Sequence, residues 1–191
     1  KIGGEIISGD SMQVYKYMDI GTAKPAYEEM CGIPHFLIDE IYPDEEYNVM
    51  IFQKKAKEYM NGIYERGHIP IIVGGTGFYI NALVYDNDFT EESGEGIREE
   101  LYEIAEKEGP EKLHKMSDHN REAKQKESPY NLAFFVLNMD RQKLYDRIDL
   151  RVDIMMKNGL EAEVRNLINM GYSPDLVSMQ GLGYKEFIPY F

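Results

Sequence analysis

The 191-residue sequence predicts an α/β fold: a parallel sheet flanked by helices, with a helical insertion. Three observations carry this. Short apolar runs at residues 5–8, 36–38, 69–73 and 132–137 read as strands. Between the second and third, Val49, Phe52, Ala56, Tyr59 and Ile63 recur at steps of three and four, which gives a helix one apolar face. Strands separated by such a helix form βαβ units, and those build parallel sheets. The first and third runs stop at small, turn-prone residues, Gly9-Asp10-Ser11 and Gly74-Gly75-Thr76-Gly77. Ligands of open α/β sheets bind outside the carboxyl ends of the strands.

The remaining elements follow in order. Asn48 is placed to cap the first helix and Gly67 to stop it. Residues 86–130 change character, being acidic, then basic, with few β-branched residues and a Ser93-Gly94-Glu95-Gly96 turn. Ile97, Leu101 and Ile104 give this stretch a helical stripe. We therefore assign residues 1–85 and 130–191 to the α/β core with its C-terminal helices, and 86–129 to the insertion. Leu144, Ile148 and Val152 mark one later helix; Leu160, Val164, Leu167 and Ile168 mark another, closed by Gly171.

Hydrophobic residues make up 43% of the chain, enough for a real core. The single cysteine, Cys31, excludes an intrachain disulfide framework and fits a reducing cytosol. No apolar run approaches the ~20 residues that span a bilayer. A net charge of −13 argues against indiscriminate binding to nucleic acid, which depends on neutralising phosphates. Positive charge is concentrated at Lys112, Lys115, Arg121, Lys124 and Lys126, and again at Arg141, Lys143, Arg147 and Arg151. These are either solvated helix faces or, if they meet on one surface, an RNA-binding patch. Arg147 and Arg151 lie one helical turn apart. Four scattered histidines show no metal-ligand spacing.

Asp10 stands just past a strand end. It either caps the following turn or serves as a general base. Gly74-Gly75-Thr76-Gly77 is either a tight strand-to-helix turn or an anion site, where glycines admit a diphosphate to a helix N-terminus.

Four segments stand out in order: Gly9-Asp10-Ser11-Met12-Gln13-Val14-Tyr15 with Asp19-Ile20-Gly21-Thr22-Ala23-Lys24-Pro25; Gly32-Ile33-Pro34-His35-Phe36-Leu37-Ile38-Asp39; Ile71-Ile72-Val73-Gly74-Gly75-Thr76-Gly77-Phe78-Tyr79; and Gln180-Gly181-Leu182-Gly183-Tyr184-Lys185. Together they resemble the tRNA dimethylallyltransferases (tRNA isopentenyltransferases). The resemblance implies a core like that of the P-loop nucleoside triphosphate hydrolases. It implies transfer of a dimethylallyl group from dimethylallyl diphosphate to N6 of the adenosine 3′ of a tRNA anticodon. Asp10 would be the general base, and Asp10, Ser11, Met12 and Gln13 the tRNA-contacting stretch, with Gln13 able to read an adenine edge. Gly75 and Thr76 would hold the diphosphate, Thr76 at the leaving or bridging oxygen, together with Arg98 and Arg147, whose guanidinium suits phosphate. Lys24 would be a further phosphate contact on the tRNA side. Gln180, Gly183 and Lys185 would touch tRNA late in the chain. Mg²⁺ and nucleotide (ATP-type) binding belong to the same expectation, as do a cytoplasmic monomer and the absence of a membrane partner. Other readings are an isopentenyltransferase for free adenine nucleotides, a small-molecule nucleotide kinase, and an RNA-binding fragment without catalysis.

The sequence departs from the family in three respects. No Gly-x-x-x-x-Gly-Lys-Ser/Thr phosphate loop occurs in it. The family's longer helical segment, with Asn, Asp and paired Arg, is missing between Met116 and Ser117. Family helices beyond Phe191 are also missing. The natural protein is therefore expected to be longer. A literal 191-residue polypeptide is expected to be inactive and poorly soluble, its sheet edge left unpaired.

Overall fold

The computed structural model describes residues 2–87, 97–109, 111–112 and 127–191, with the backbone alone at 97–100. Strand β1 spans Gly4–Ser8, β2 His35–Phe36 and β3 Ile69–Val73. The order is β2-β1-β3 and both pairings are parallel. β1 runs beside β3 from Gly4↔Ile69 to Ser8↔Val73, so both strands end at the same level. This is the parallel, helix-flanked sheet expected from the sequence.

Helix α1 covers Val49–Glu65. The Asn48 carboxamide oxygen accepts from the N–H groups of Met50 and Ile51, both at 3.0 Å, and so satisfies two donors that have no partner inside the helix. The helix stops at Arg66, and Gly67 takes the left-handed conformation at φ 74°. Phe52, Ala56, Met60 and Ile63 are buried, as the three-and-four spacing requires. Burying Phe52, Met60 or Ile63 stabilises the fold by roughly 1.5–3 kcal/mol each relative to exposure. Aromatic stacks fasten α1 to its neighbours: Tyr59 on Phe36 of β2 at 4.6 Å and Phe52 on Tyr79 at 4.9 Å. Tyr79 lies in α2, Gly77–Val84, which follows β3 directly.

Two compact units make up the chain: Lys1–Leu83 with Ala133–Phe191, and Val84–Leu132. Within the second, α3 covers Ile97–Glu108, with ion pairs Lys107–Glu103 and Lys112–Glu108, both at 2.8 Å. The Ser93–Gly96 turn lies outside the described residues, as do Lys115, Arg121, Lys124 and Lys126. Within the first, α4 covers Arg141–Lys157 and α5 Leu160–Asn169. α5 buries Leu160, Val164 and Leu167, and Gly171 follows at φ 95°. No described helix is long and apolar enough to cross a membrane.

One expectation needs correction. Residues 132–137 form no strand, although they are apolar. A strand exists only with a hydrogen-bonding neighbour, and no described strand runs beside this stretch. Phe135 and Leu137 are 85% and 98% exposed, so composition without a partner yields an extended segment. The α4 stripe is helical as expected, but no residue of α4 is buried, and Leu144, Ile148 and Val152 are exposed.

One charged residue sits inside the sheet. Glu5 in β1 is 2% exposed. Its carboxylate accepts from Arg66 Nε at 3.0 Å and Nη2 at 2.6 Å, just past α1, and meets His68 Nδ1 at 2.5 Å, just before β3. The Arg66 guanidinium, then the His68 ring, bring its pKa from the ordinary 4.5 down to about 2. A carboxylate whose pKa is depressed by folding adds stability above its unfolded pKa and loses it as pH falls through the folded one. In the full-length protein, Glu5→Gln is therefore expected to lower stability at pH 6, with the gap from wild type closing between about pH 4.5 and 2. Urea unfolding at both ends of that range checks this; a gap unchanged at the acid end would remove Glu5 from the acid response.

Candidate active site

β1 and β3 deliver Asp10 and Thr76 to the same end of the sheet. The strands close on each other there: Gly9 N–H donates to Val73 O at 2.7 Å. A Cβ on Gly74 would lie 2.4 Å from the Gly9 carbonyl carbon, a backbone clash that no side-chain movement relieves. Gly75 and Gly77 differ, since a Cβ on either would meet nothing within 4 Å. Gly74 is thus needed for packing, whereas the backbone beside Thr76 is open.

Thr76 Oγ1 accepts from Ser11 N–H at 3.2 Å and lies 3.4 Å from Ser11 Oγ. Asp10 Oδ1 accepts from the N–H groups of Met12 at 2.8 Å and Gln13 at 3.2 Å. Asp10 Oδ2 receives no hydrogen bond from the described residues, and the side chain is half-buried. Of the two roles expected of Asp10, the turn cap is seen directly in its Oδ1 bonds, while Oδ2 keeps its lone pairs free of the described residues.

Gln13 and Lys24 are placed otherwise than expected. The Gln13 carboxamide accepts from Ser8 Oγ at 3.0 Å and donates to Thr22 O at 3.2 Å and Ala23 O at 3.3 Å. Both its N–H bonds are used, so it braces the Gly21–Lys24 turn and does not offer an adenine-reading edge. Lys24 is only 7% exposed, and its ammonium donates to Tyr15 O at 2.8 Å, Asp19 at 2.5 Å and Asp39 at 2.9 Å. An ammonium has three N–H donors. All three are taken inside the protein, which leaves none for a phosphate. Motif spacing could not reveal this, because Asp39 reaches Lys24 through the fold.

Glu163 in α5 is a residue that sequence reasoning passed over. Its Oε2 accepts from the N–H groups of Asp19 at 2.9 Å and Ile20 at 2.8 Å, and its Oε1 from Gly21 N–H at 3.1 Å and the Tyr184 hydroxyl at 2.6 Å. Tyr184 is fully buried, and burial pushes its hydroxyl pKa up, so it stays a donor. Its ring lies on Gly21, where a Cβ would come within 2.5 Å of it. This is how the late Gln180–Lys185 turn joins the site. Gln180 donates to Pro174 O at 2.8 Å and Gly183 N–H to Glu186 at 2.8 Å, while the Lys185 side chain is exposed.

A cleft of about 760 Å³ runs beside this loop, lined by Asp19, Lys24 and Asp39 on one side and by Arg147 and Arg151 of α4 on the other. No described residue forms an ion pair with either arginine. Arg141, by contrast, is turned onto Tyr145. Arg98 lies in α3, and its side chain is outside the described residues. No described group of three acidic, His or Cys side chains converges to hold a metal ion.

A parallel sheet flanked by helices, with a glycine loop opening α2 and an acid just past β1, makes this an α/β domain. Comparison with known proteins narrows that class. The family model "IPP transferase" matches residues 13–120 and 112–191. The tRNA dimethylallyltransferase of Lachnoclostridium phytofermentans is 50% identical, over 99% of this chain and 72% of its own. That alignment spans 224 positions, more than this chain contains, so the relative carries residues this chain lacks. The full-length tRNA isopentenylpyrophosphate transferase of Bacillus halodurans is 41% identical with a TM-score of 0.79, over 99% of this chain and 69% of that one. A eukaryotic dimethylallyltransferase acting on tRNA superposes at a TM-score of 0.80 with 25% identity, over 99% of this chain and 57% of that one. The chain belongs to the IPP transferase family, a family of transferases.

The Lys24 network is testable apart from any activity. In the full-length protein, Lys24→Met removes the ammonium and leaves Asp19 and Asp39 facing each other. The expected cost is about 1–3 kcal/mol, limited because both carboxylates still reach solvent. Affinity for inorganic diphosphate is expected to be unchanged. Calorimetry and equilibrium denaturation separate these; lost diphosphate affinity with unchanged stability would return Lys24 to phosphate binding.

Proposed function

We propose that this protein transfers a dimethylallyl group from dimethylallyl diphosphate to N6 of the adenosine 3′ of the anticodon in tRNA. The single observation that supports the chemistry is Asp10: one oxygen fixed by two main-chain N–H groups and the other free of the described residues, next to Ser11, whose N–H donates to the Thr76 hydroxyl. An exocyclic amine is a weak nucleophile because its lone pair is delocalised into the ring. The N6 lone pair attacks C1 of the dimethylallyl group, the C1–O bond breaks, and its electrons leave with the diphosphate. Asp10 Oδ2 takes the N6 proton as the C–N bond forms. The adenosine must leave its stack to reach a carboxylate held at the sheet end.

Gly75 and Thr76, with open backbone beside them, receive the diphosphate, and Arg98 and Arg147 are assigned to its charge. Mg²⁺ would come with the diphosphate, since it keeps waters and leans on substrate phosphates, and the described residues offer no acidic set of their own. Ser11 and Met12, next to Asp10, and Gln180, Gly183 and Lys185 face the RNA in this reading. A monomer in the cytoplasm is consistent with a site built from one chain and a single exposed cysteine. The relatives named above act on tRNA by name, which favours tRNA over a free nucleotide as acceptor.

The direct experiment supplies labelled dimethylallyl diphosphate to the full-length protein with either an anticodon stem-loop or AMP. Label is expected in the stem-loop alone; transfer to AMP at an equal rate would overturn the choice of acceptor. Asp10→Asn keeps the cap and removes the base, so it is expected to leave tRNA affinity near wild type while lowering turnover about 10²–10⁴-fold. Single-turnover kinetics beside a filter-binding titration measure both quantities. Wild-type turnover in that variant would exclude Asp10 as the base.

A further inference from the structure

Residues 17–24 and 37–41 are held in a conformation their sequence does not favour. Tyr17, Ala23, Leu37 and Asp39 all have positive φ, at 67°, 49°, 60° and 61°. That region is disfavoured for residues with a Cβ, most of all for Tyr17, Ala23 and Leu37, whose side chains make no compensating local hydrogen bond to the described residues. Neighbouring contacts must over-determine such a loop for it to persist. Lys24 ties it from within. Glu163 ties it from α5, gathering three successive main-chain N–H groups into one carboxylate, an arrangement of charge-assisted bonds roughly twice as strong as neutral ones.

The tie leads to the reacting end of the sheet through named atoms. Glu163 fixes Asp19, Ile20 and Gly21. The next two carbonyls of the same turn, Thr22 O and Ala23 O, accept from the Gln13 carboxamide. Gln13 N–H in turn donates to Asp10 Oδ1, and Gln13 O accepts from Asp39 N–H at 3.0 Å. We propose that Glu163 is a positioning residue for the transfer reaction, acting through the Asp19–Ala23 turn and Gln13 to aim the free Asp10 oxygen at the acceptor amine. This rests on Asp10 being the base. Tyr184 belongs to the same device, because its hydroxyl occupies Oε1 and its ring seats Gly21.

The test is a double-mutant cycle in the full-length protein, read as single-turnover transfer to an anticodon stem-loop. Glu163→Gln keeps the shape but replaces one accepting oxygen by an NH₂ that faces N–H donors. It is expected to slow transfer about 10- to 100-fold with tRNA affinity within about threefold of wild type. On an Asp10→Asn background the same change is expected to cost less than about twofold, since a residue acting through Asp10 has nothing left to aim. Tyr184→Phe is the gentler companion. It keeps the ring on Gly21, removes one bond, and is expected to cost about two- to fivefold, again absorbed by Asp10→Asn. An undiminished rate in Glu163→Gln, or equal losses on both backgrounds, would overturn the positioning role while Asp10→Asn still shows its own large loss. Wild-type turnover in Asp10→Asn would instead sink the base assignment on which the proposal rests.

Discussion

The site depends on the parallel pairing of β1 with β3. Because Ser8 stands opposite Val73, the residues just past each strand arrive together, and Ser11, next to Asp10, meets Thr76 across 65 positions of sequence. The two backbones can converge there only because Gly74 carries no side chain, since a Cβ on it would strike the Gly9 backbone. The Gly9 N–H to Val73 O bond continues the ladder one step past the strands, and the Ser11 N–H to Thr76 Oγ1 bond extends it onto a side chain. One-residue slippage would turn the alternating faces of β1 over and withdraw Ile7, which is fully buried, from the core. Core packing and site geometry are therefore fixed by the same register.

Around that junction the polar groups are mostly committed to one another. Lys24 spends three donors on Tyr15, Asp19 and Asp39, Gln13 joins Ser8 to two carbonyls, and Glu163 collects four donors. Buried polar groups left half-satisfied are costly, whereas a filled network makes one geometry strongly preferred. The four left-handed residues in these loops are the counterpart of that preference. The loops hold a shape that local propensity opposes because the network outweighs the local cost.

Much of this was legible in the sequence, and the limits have physical reasons. α1, with its Asn48 cap and Gly67 stop, follows from local chemistry, and so do the ends of β1 and β3. The segment at 132–137 did not, because an apolar run specifies burial but not the neighbour that makes it a strand. Lys24 and Gln13 carry the right chemistry for phosphate and adenine, yet their partners come from Asp39 and Ser8 through folding, and no spacing rule reports that. Glu163 was invisible for a related reason. On an amphipathic helix a glutamate reads as solvated surface, and only the approach of the Asp19–Gly21 turn turns it into an anchor.

A general base has to satisfy two conflicting demands. It must be held within a fraction of an ångström of the proton it takes, yet the oxygen that takes it must not be occupied by the groups doing the holding. A carboxylate can meet both, because its two oxygens are rigidly linked and separately addressable. In the base role proposed for Asp10, the demands would be divided between them: Oδ1 receives two main-chain N–H groups and Oδ2 receives none from the described residues. Fixing one oxygen fixes the direction of the other. The accuracy of that direction is only as good as the turn supplying the N–H groups, and this turn is bonded through Gln13 to a loop that α5 grips. The polar network remote from Asp10 is thus the continuation of the same constraint, which is why Lys24 and Tyr184 are held inside it where a surface reading would have sent a lysine to solvent.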